Sequence, residues 1–240
     1  MDVIDLCCGA GGFSLGFKQA GFNIVLGVDI WKPAVETFKR NIGNAVQMDI
    51  RDLKDLPSCD VLIGSPPCQH FSVANQYEHD EDPSLLYEFL CVVERIKPKY
   101  WVMEEVPMVE QFLPSGTMHT ILCANRFGLE HRRERLFAGS FPIPNSPRIT
   151  ETRIPTPTAT EWKGCSSKKN REKMNRFSDY LGRKATVEEC RDAMGFPPDY
   201  VFTGTKKDQY ILVGNAVCPP VSFAIAESIK ANRKTRLDDW

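Results

Sequence analysis

Through the first 140 residues, short apolar runs bounded by Gly and Pro alternate with stretches whose apolar positions recur every three to four residues. This is the pattern of strands and crossover helices in a parallel sheet, and it predicts an α/β fold. The runs predict strands at Val3–Leu6, Asn23–Val28, Ala45–Gln47, Val61–Ile63, Tyr100–Met103 and Leu136–Ala138. Helices are predicted near Ser14–Ala20, Lys32–Asn41 and Leu85–Ile96. A proline-rich stretch from about Pro142 to Thr158 then breaks the pattern, and the basic stretch Lys163–Arg176 follows. Regular patterning resumes with a helix at Thr186–Met194, opened by the Thr186 and Glu189 spacing of a capping box. A last helix is predicted over about Pro220–Ala231, with Lys230–Trp240 as a frayed polar end.

The composition, 42% hydrophobic and 25% charged over 240 residues, excludes a disordered or fibrous chain. Thirty basic and 31 acidic side chains nearly cancel, so the total announces no anionic partner. The distribution says more, because residues 148–184 carry ten Lys/Arg against four Asp/Glu, a net of +6. The nine cysteines are odd in number and show no Cys-x-x-Cys spacing, which predicts reduced, intracellular thiols rather than disulfides or a zinc site. Met1 leads directly into the first strand, and no run of eighteen apolar residues occurs. The expectation is a cytoplasmic protein, nucleoid-associated when on DNA and without a membrane partner.

After the first strand, Gly9, Gly11 and Gly12 form a turn that opens a helix, where backbone N–H groups can approach a ligand closely. Ser14 replaces the third glycine of the dinucleotide fingerprint, and no phosphate-gripping Lys-Ser/Thr is present. Asp29 follows at the end of the second strand, where a carboxylate takes the hydroxyls of a ribose. Asp49, after the third strand, either accepts from an adenine amino group or caps a helix. These residues point to a nucleoside-bearing cofactor without a pyrophosphate.

The fourth strand runs into Pro66-Pro67-Cys68, which places a thiol at the carboxyl edge of the sheet. Arg133 and Arg135 are candidates to favour its thiolate. Glu104 and Glu105 end the fifth strand; mutual repulsion and burial are expected to raise the pKa of Glu104, so that it can hold a proton on a base ring nitrogen. A thiol, an acid and two arginines at adjacent strand ends are what attack on a pyrimidine requires.

At this point the chain resembles the DNA cytosine carbon-5 methyltransferases that use S-adenosylmethionine. The resemblance covers nearly the whole chain, in six motifs: Asp5 through Ser14, Pro66 through Gln69, Glu104 through Val106, Arg133-x-Arg135, Arg183 through Pro197, and Gln209 through Val217. It implies a Rossmann-like methyltransferase fold with a mostly parallel sheet, in which residues 1–139 and 183–240 form the catalytic domain. A short target-recognition segment is expected at 140–182. It further implies S-adenosylmethionine as cofactor, S-adenosylhomocysteine as product, no metal, and double-stranded DNA as partner. Cys68, Glu104, Arg133 and Arg135 become the catalytic set. Cys7, Gly9, Gly11, Gly12, Phe13, Asp29, Ile30, Asp49, Ile50, Pro66, Asn215 and Val217 become the cofactor set. Gln69, Ser72, Arg183, Lys168, Lys169 and Arg171 are expected at the DNA, and Thr156, Thr158, Trp162 and Asn170 within reach of base edges.

The chain departs from the family where Cys7 replaces a common Phe, Glu105 an Asn and His131 a Gln. Glu78, Asp80, Glu81 and Asp82 follow Cys68 where the family often has glycines and an arginine, an unfavourable charge beside phosphates. Between Val106 and Arg133 the chain reads as shortened by a helix and a strand pairing. So short a recognition segment predicts relaxed sequence specificity, with the protein acting as a monomer or with a partner that supplements the segment. An RNA cytosine methyltransferase and a non-catalytic DNA-binding regulator are the alternative readings.

Overall fold

The computed structural model describes residues 1–67, 82–146, 149–165 and 176–238, with helical side chains through residue 233. Seven strands form one sheet: β1 (Asp2–Leu6), β2 (Asn23–Asp29), β3 (Ala45–Gln47), β4 (Val61–Gly64), β5 (Tyr100–Glu105), β6 (His119–Cys123) and β7 (Glu134–Ser140). Their order is β3-β2-β1-β4-β5-β7-β6. The pairings among β1 to β5 are parallel, and β7 runs antiparallel to both β5 and β6. Seven helices are described: α1 (Gly12–Gln19), α2 (Lys32–Asn41), α3 (Ser84–Ile96), α4 (Phe177–Tyr180), α5 (Val187–Ala193), α6 (Lys206–Asn215) and α7 (Pro219–Asp238).

Successive strand residues face opposite sides of the sheet. Val3, Val61, Ile63, Val102 and Phe137 pack under α1, α2 and α7, whereas Ile4, Leu6, Leu62, Met103 and Leu136 pack under α3. Both faces are covered, which is why the strands read as unbroken apolar runs. Phe17, Phe38, Phe89 and Phe137 are fully buried, each contributing about 1.5–3 kcal/mol of burial free energy. The C-terminal α7 returns across α1. Gly16 leaves no room there for a Cβ, which would sit 2.4 Å from the Phe223 backbone nitrogen, and Lys230 reaches the Ala20 carbonyl at the end of α1.

Three expectations need correction. The segment between Val106 and Arg133 keeps its strand pairing, since β6 pairs with β7 from His119↔Ala138 to Cys123↔Glu134; only the helix is reduced, to a 3-10 run at Pro107–Phe112. Helix α6 lies in a stretch for which no helix was predicted. Its apolar positions make no single stripe, because it is lodged between α5 and the segment around 158–163 and buries more than one side. Helix α7 continues to Asp238 in place of a frayed end, as no Gly or Pro interrupts it after Pro220.

Candidate active site

The chain runs outward from β1 to β2 and β3, then crosses back to β4 on the other side of β1. The carboxyl ends of β1 and β4 therefore flank a switch point, where open α/β sheets bind ligands. A cleft of about 990 Å³ opens there, the size of a nucleoside-bearing ligand site.

Its floor is the turn after β1. The Gly9 N–H donates to Asp29 Oδ2 and the Trp31 N–H to Asp29 Oδ1, both at 2.8 Å, so the Asp29 carboxylate ties the ends of β1 and β2 together. Burial raises the Asp29 pKa, and those N–H donors oppose the rise. Beneath the turn the Ser14 hydroxyl donates to buried Asp5 at 2.6 Å, and burial pushes Asp5 up to about 7. Gly9 has φ +51° and open space where a Cβ would stand. Gly12 is the reverse, because a Cβ there would lie 2.2 Å from the Val217 carbonyl oxygen. The first turn of α1 and the residues after α6 thus touch through backbone alone.

Of the residues expected at the cofactor, Cys7, Gly9, Gly12, Phe13, Asp29, Ile30, Asp49, Ile50, Pro66, Asn215 and Val217 line this one cleft. Gly11 does not. Its φ of +80° turns the position toward Ile42, Phe38 and Tyr200, so it shapes the turn and faces the core. Tyr200 secures the same turn by donating to the Ala10 carbonyl at 2.5 Å. Of the two readings of Asp49, the cap is realised: its Oδ1 accepts the Arg51 N–H at 2.9 Å, and Arg51 holds the carboxylate below its usual range.

The opposite wall carries Glu104 and Arg135, with side-chain exposures of 7% and 25% and Arg135 Nε 3.0 Å from Glu104 Oε1. The approach is too oblique for a hydrogen bond, and Oε1 has no hydrogen-bond donor among the described residues. The register explains the pairing. Glu104 faces Phe137, so it shares a sheet face with Arg135 two residues earlier, while Glu105 faces Leu136 on the other side. Arg135, and not Glu105, is therefore the charge in contact with Glu104, which corrects the expected repulsion between the two acids.

Arg133 does not line the cleft. It is buried below it, with Nε and Nη2 lacking hydrogen-bond partners among the described residues, and burial followed by the neighbouring Arg135 brings its pKa down to about 10. The two arginines, two residues apart, are thus separated by depth: Arg135 reaches the cleft from β7, whereas Arg133, just before the strand, is buried by packing. Beside Arg133, His131 is fully buried between the Ala193 carbonyl at 3.1 Å and the Thr156 hydroxyl at 3.4 Å. Burial and Arg133 lower its pKa to about 4, so it is a neutral spacer.

The residues around 149–165 and 176–182 pack on α5 and α6. A Cβ on Gly214 would lie 2.2 Å from the Ala159 nitrogen. Several residues expected to reach base edges are spent internally: Thr156 on His131, Thr158 on Glu161 at 3.2 Å, and Trp162 against the core under Lys207 at 4.8 Å. Glu161 is itself fully buried, accepting from the Ser178 N–H at 3.0 Å and from the Ser178 hydroxyl. Arg183 is taken by Glu189 through two hydrogen bonds of 2.8 and 2.5 Å. Cys68, Gln69, Ser72, Glu78, Asp80, Glu81, Lys168, Lys169, Asn170 and Arg171 lie outside the described residues.

The cleft also includes Lys207, Asp208, Ile211 and Leu212 on α6, which the sequence reading missed. The signal was present, since Thr205 and Asp208 form a capping box, the spacing used to find α5. No group of three potential metal ligands occurs among the described residues.

Comparison with known proteins bears on the same architecture. The family model for C-5 cytosine-specific DNA methylases matches residues 1–118 and 143–231. The type II methyltransferase M.HgiDI of Herpetosiphon aurantiacus is 28% identical over 96% of this chain and 94% of its own. M.MthTI of Methanothermobacter thermautotrophicus is 26% identical over 96% and 97%. Among solved structures, a prophage-encoded E. coli chain described as a DNA modification methyltransferase superposes with a TM-score of 0.72 at 22% identity, over 98% of this chain and 99% of that one. The Dnmt2 methyltransferase of S. pombe gives 0.68 at 18%, over 97% and 99%. These last two likenesses speak for the fold. A family model that spans both the cleft-forming N-terminal half and the returning C-terminal helices places the chain among the C-5 cytosine-specific DNA methylases, enzymes that methylate DNA cytosine at carbon 5 with S-adenosylmethionine.

Proposed function

We propose that the protein methylates a cytosine flipped out of duplex DNA, through a transient bond from Cys68 to the base. The observation that carries this reading is the Glu104–Arg135 pair facing the same cleft as the Asp29 turn. One wall offers an acid and a cation to a pyrimidine edge, and the other offers acceptors to a nucleoside.

The donor set of the cleft fits S-adenosylmethionine. Asp29 suits ribose hydroxyls, Ile30 is 61% exposed at the rim and offers an apolar face to a base, and Gly9 leaves open space above the turn. The carboxylates Asp29 and Asp49 disfavour a pyrophosphate and tolerate a sulfonium. When bound there, the cofactor supplies an electrophilic methyl group to carbon 5 of the target.

Extrusion from the duplex exposes both faces of the cytosine ring. The Cys68 thiolate adds to carbon 6, and the electron pair moves onto carbon 5, which becomes nucleophilic. Glu104 holds a proton at ring nitrogen 3 and accepts from the exocyclic amino group. This role is supported by a buried Oε1 that has no donor among the described residues. Arg135 contacts the ring oxygen and holds Glu104 in place. Loss of the carbon 5 proton and expulsion of the Cys68 thiolate restore the aromatic ring. Buried Arg133 acts from below, as a fixed positive charge near Glu104 and Arg135. Residues 140–182 serve as a reduced recognition region whose inward-facing threonines leave few side chains for base contacts, which favours a short target site.

The test is transfer of labelled methyl from S-adenosylmethionine to mixed-sequence duplex DNA, with tRNA in parallel, by the protein and by Cys68→Ala. Label on cytosine carbon 5 of DNA that vanishes in the variant is the expected result. Equal transfer by Cys68→Ala rejects the covalent route, and transfer to tRNA alone rejects the duplex substrate.

A further inference from the structure

We propose that Lys163, Lys184 and Lys207 form one surface that grips the phosphate backbone of the substrate duplex away from the target base. The inference rests on the duplex-DNA reading above and adds groups that hold the DNA against the cleft. Lys163 belongs to the 140–182 segment, whereas Lys184 and Lys207 lie beyond it, so the surface joins that segment to the helices that follow.

Packing brings the three together. The residues around 158–163 lie along α6, with Gly214 against Ala159 at one end and Lys207 over Trp162 at the other. Lys163 approaches the same indole, so two ammonium groups stand 5.5 and 4.8 Å from one ring centroid. Three residues further along α6, the Tyr210 ring carries Lys184 at 5.0 Å. The Lys184 stem also passes Gly164, where a Cβ would meet it at 3.6 Å. Both rings are fixed from behind: Trp162 packs on the core, and buried Tyr210 donates to the Ala185 carbonyl at 2.5 Å. All three lysines are exposed.

An aromatic face steadies an ammonium group without neutralising it. The acids nearby are mostly engaged with other groups. Of the carboxylates around Tyr210, Glu161 is buried on Ser178 and Glu189 is taken by Arg183, which leaves Glu188. Asp208, next to Lys207, accepts the Thr205 N–H at 2.9 Å and its hydroxyl at 2.7 Å. With exposed Lys206 beside them, four lysines thus face Asp208 and Glu188, and the surface is net positive. Two like charges on one indole repel each other, and an external anion between them relieves the repulsion.

Lys207 lines the cleft as well, so an anion held here lies beside the reacting site. A duplex supplies a row of anions, about one charge per 1.7 Å of its axis. Lysine, a compact charge with three donors, suits phosphate and reads no base. The surface therefore contributes affinity and position without sequence information, in keeping with a recognition segment whose threonines face inward.

The test is fluorescence anisotropy of two unrelated labelled duplexes, titrated with salt against the full chain without cofactor, so that binding is read apart from methyl transfer. Lys163→Gln, Lys184→Gln and Lys207→Gln should each lower the slope of log K against log salt by about 0.9 and weaken binding about fivefold at 0.15 M salt, equally on both duplexes. Lys207→Arg should keep the wild-type slope. Lys99→Gln is the control, because Lys99 also lies over a ring, that of Tyr100 at 5.5 Å, but at the amino end of β5, away from the cleft; its slope should match the wild type. An unchanged slope in the triple variant, an equal fall in Lys99→Gln, or a loss on one duplex alone overturns the proposal. So does a Lys207→Gln protein that loses S-adenosylmethionine affinity in calorimetry and keeps its duplex affinity, since Lys207 would then serve the cofactor. A wild type that binds tRNA but neither duplex at about 50 mM salt rejects the DNA reading on which the surface rests.

Discussion

Gly12→Ala sets helix propensity against sterics at the point where the two ends of the chain meet. Gly12 is the first residue of α1, and alanine favours a helix over glycine by up to about 1 kcal/mol. By local propensity alone the substitution stabilises. The structure reverses the sign. The new Cβ would lie 2.2 Å from the Val217 carbonyl oxygen and 3.0 Å from Phe196 Cζ, and ordinary contact begins at 3.4 Å, so the backbone must give by 1.2 Å. Val217 cannot yield freely, being held between α6 and α7 and itself buried. Overpacking of this kind costs about 1–3 kcal/mol, and the severity of a backbone clash puts the net near about 2 kcal/mol of destabilisation. For a chain of this size that lowers Tm by about 4–8 °C. Because Gly12 and Val217 both line the cleft, S-adenosylmethionine affinity should fall with it, by about tenfold. Urea unfolding and calorimetric binding measure the two effects. Gly9→Ala is the control: its positive φ costs about 1 kcal/mol, but its Cβ meets nothing within 4 Å. A Gly12→Ala protein as stable as the wild type, or a Gly9→Ala protein more damaged than it, would refute the close approach.

His131 gives a pH signature. Burial and Arg133 hold its pKa at about 4 against 6.5 in the unfolded chain, so protons bind the unfolded state first. The stability contributed, up to about 3 kcal/mol, is present above about pH 6.5 and is lost as pH falls toward about 4. His131→Gln should flatten that part of a denaturation-versus-pH curve, and an unchanged slope would assign the loss elsewhere. Tyr200→Phe removes the donor to the Ala10 carbonyl and should cost about 1–2 kcal/mol, read from the urea midpoint; a neutral result would mean that water reaches the turn. Glu161→Ala releases Ser178 and Thr158 together, so limited proteolysis should cut within 148–184 faster than in the wild type while the rest of the chain stays resistant. Uniform cleavage along the chain would show that the segment does not depend on this carboxylate.

The strands were legible because a sheet buried on both faces needs apolar residues at every position, and Val61 to Ile63 or Val102 and Met103 can satisfy little else. The glycine turn, Asp29 and Glu104 were legible for a related reason: carboxyl ends of strands are where a parallel sheet exposes its chemistry, and chain order alone puts these residues there. Helix α6 was missed because it is packed on several sides and so lacks a one-sided stripe. The division of labour between Arg133 and Arg135 was invisible as well. Two arginines two residues apart look equivalent in a sequence, yet the antiparallel register of β5 and β7 pairs one with Glu104, and packing buries the other. Thr156, Thr158 and Trp162 read as surface groups on composition and became internal ones once His131, Glu161 and the core offered them partners. Local patterning carries what depends on periodicity and strand ends, whereas the choice between neighbouring, chemically similar side chains depends on contacts between segments far apart in the chain, and those exist only after folding.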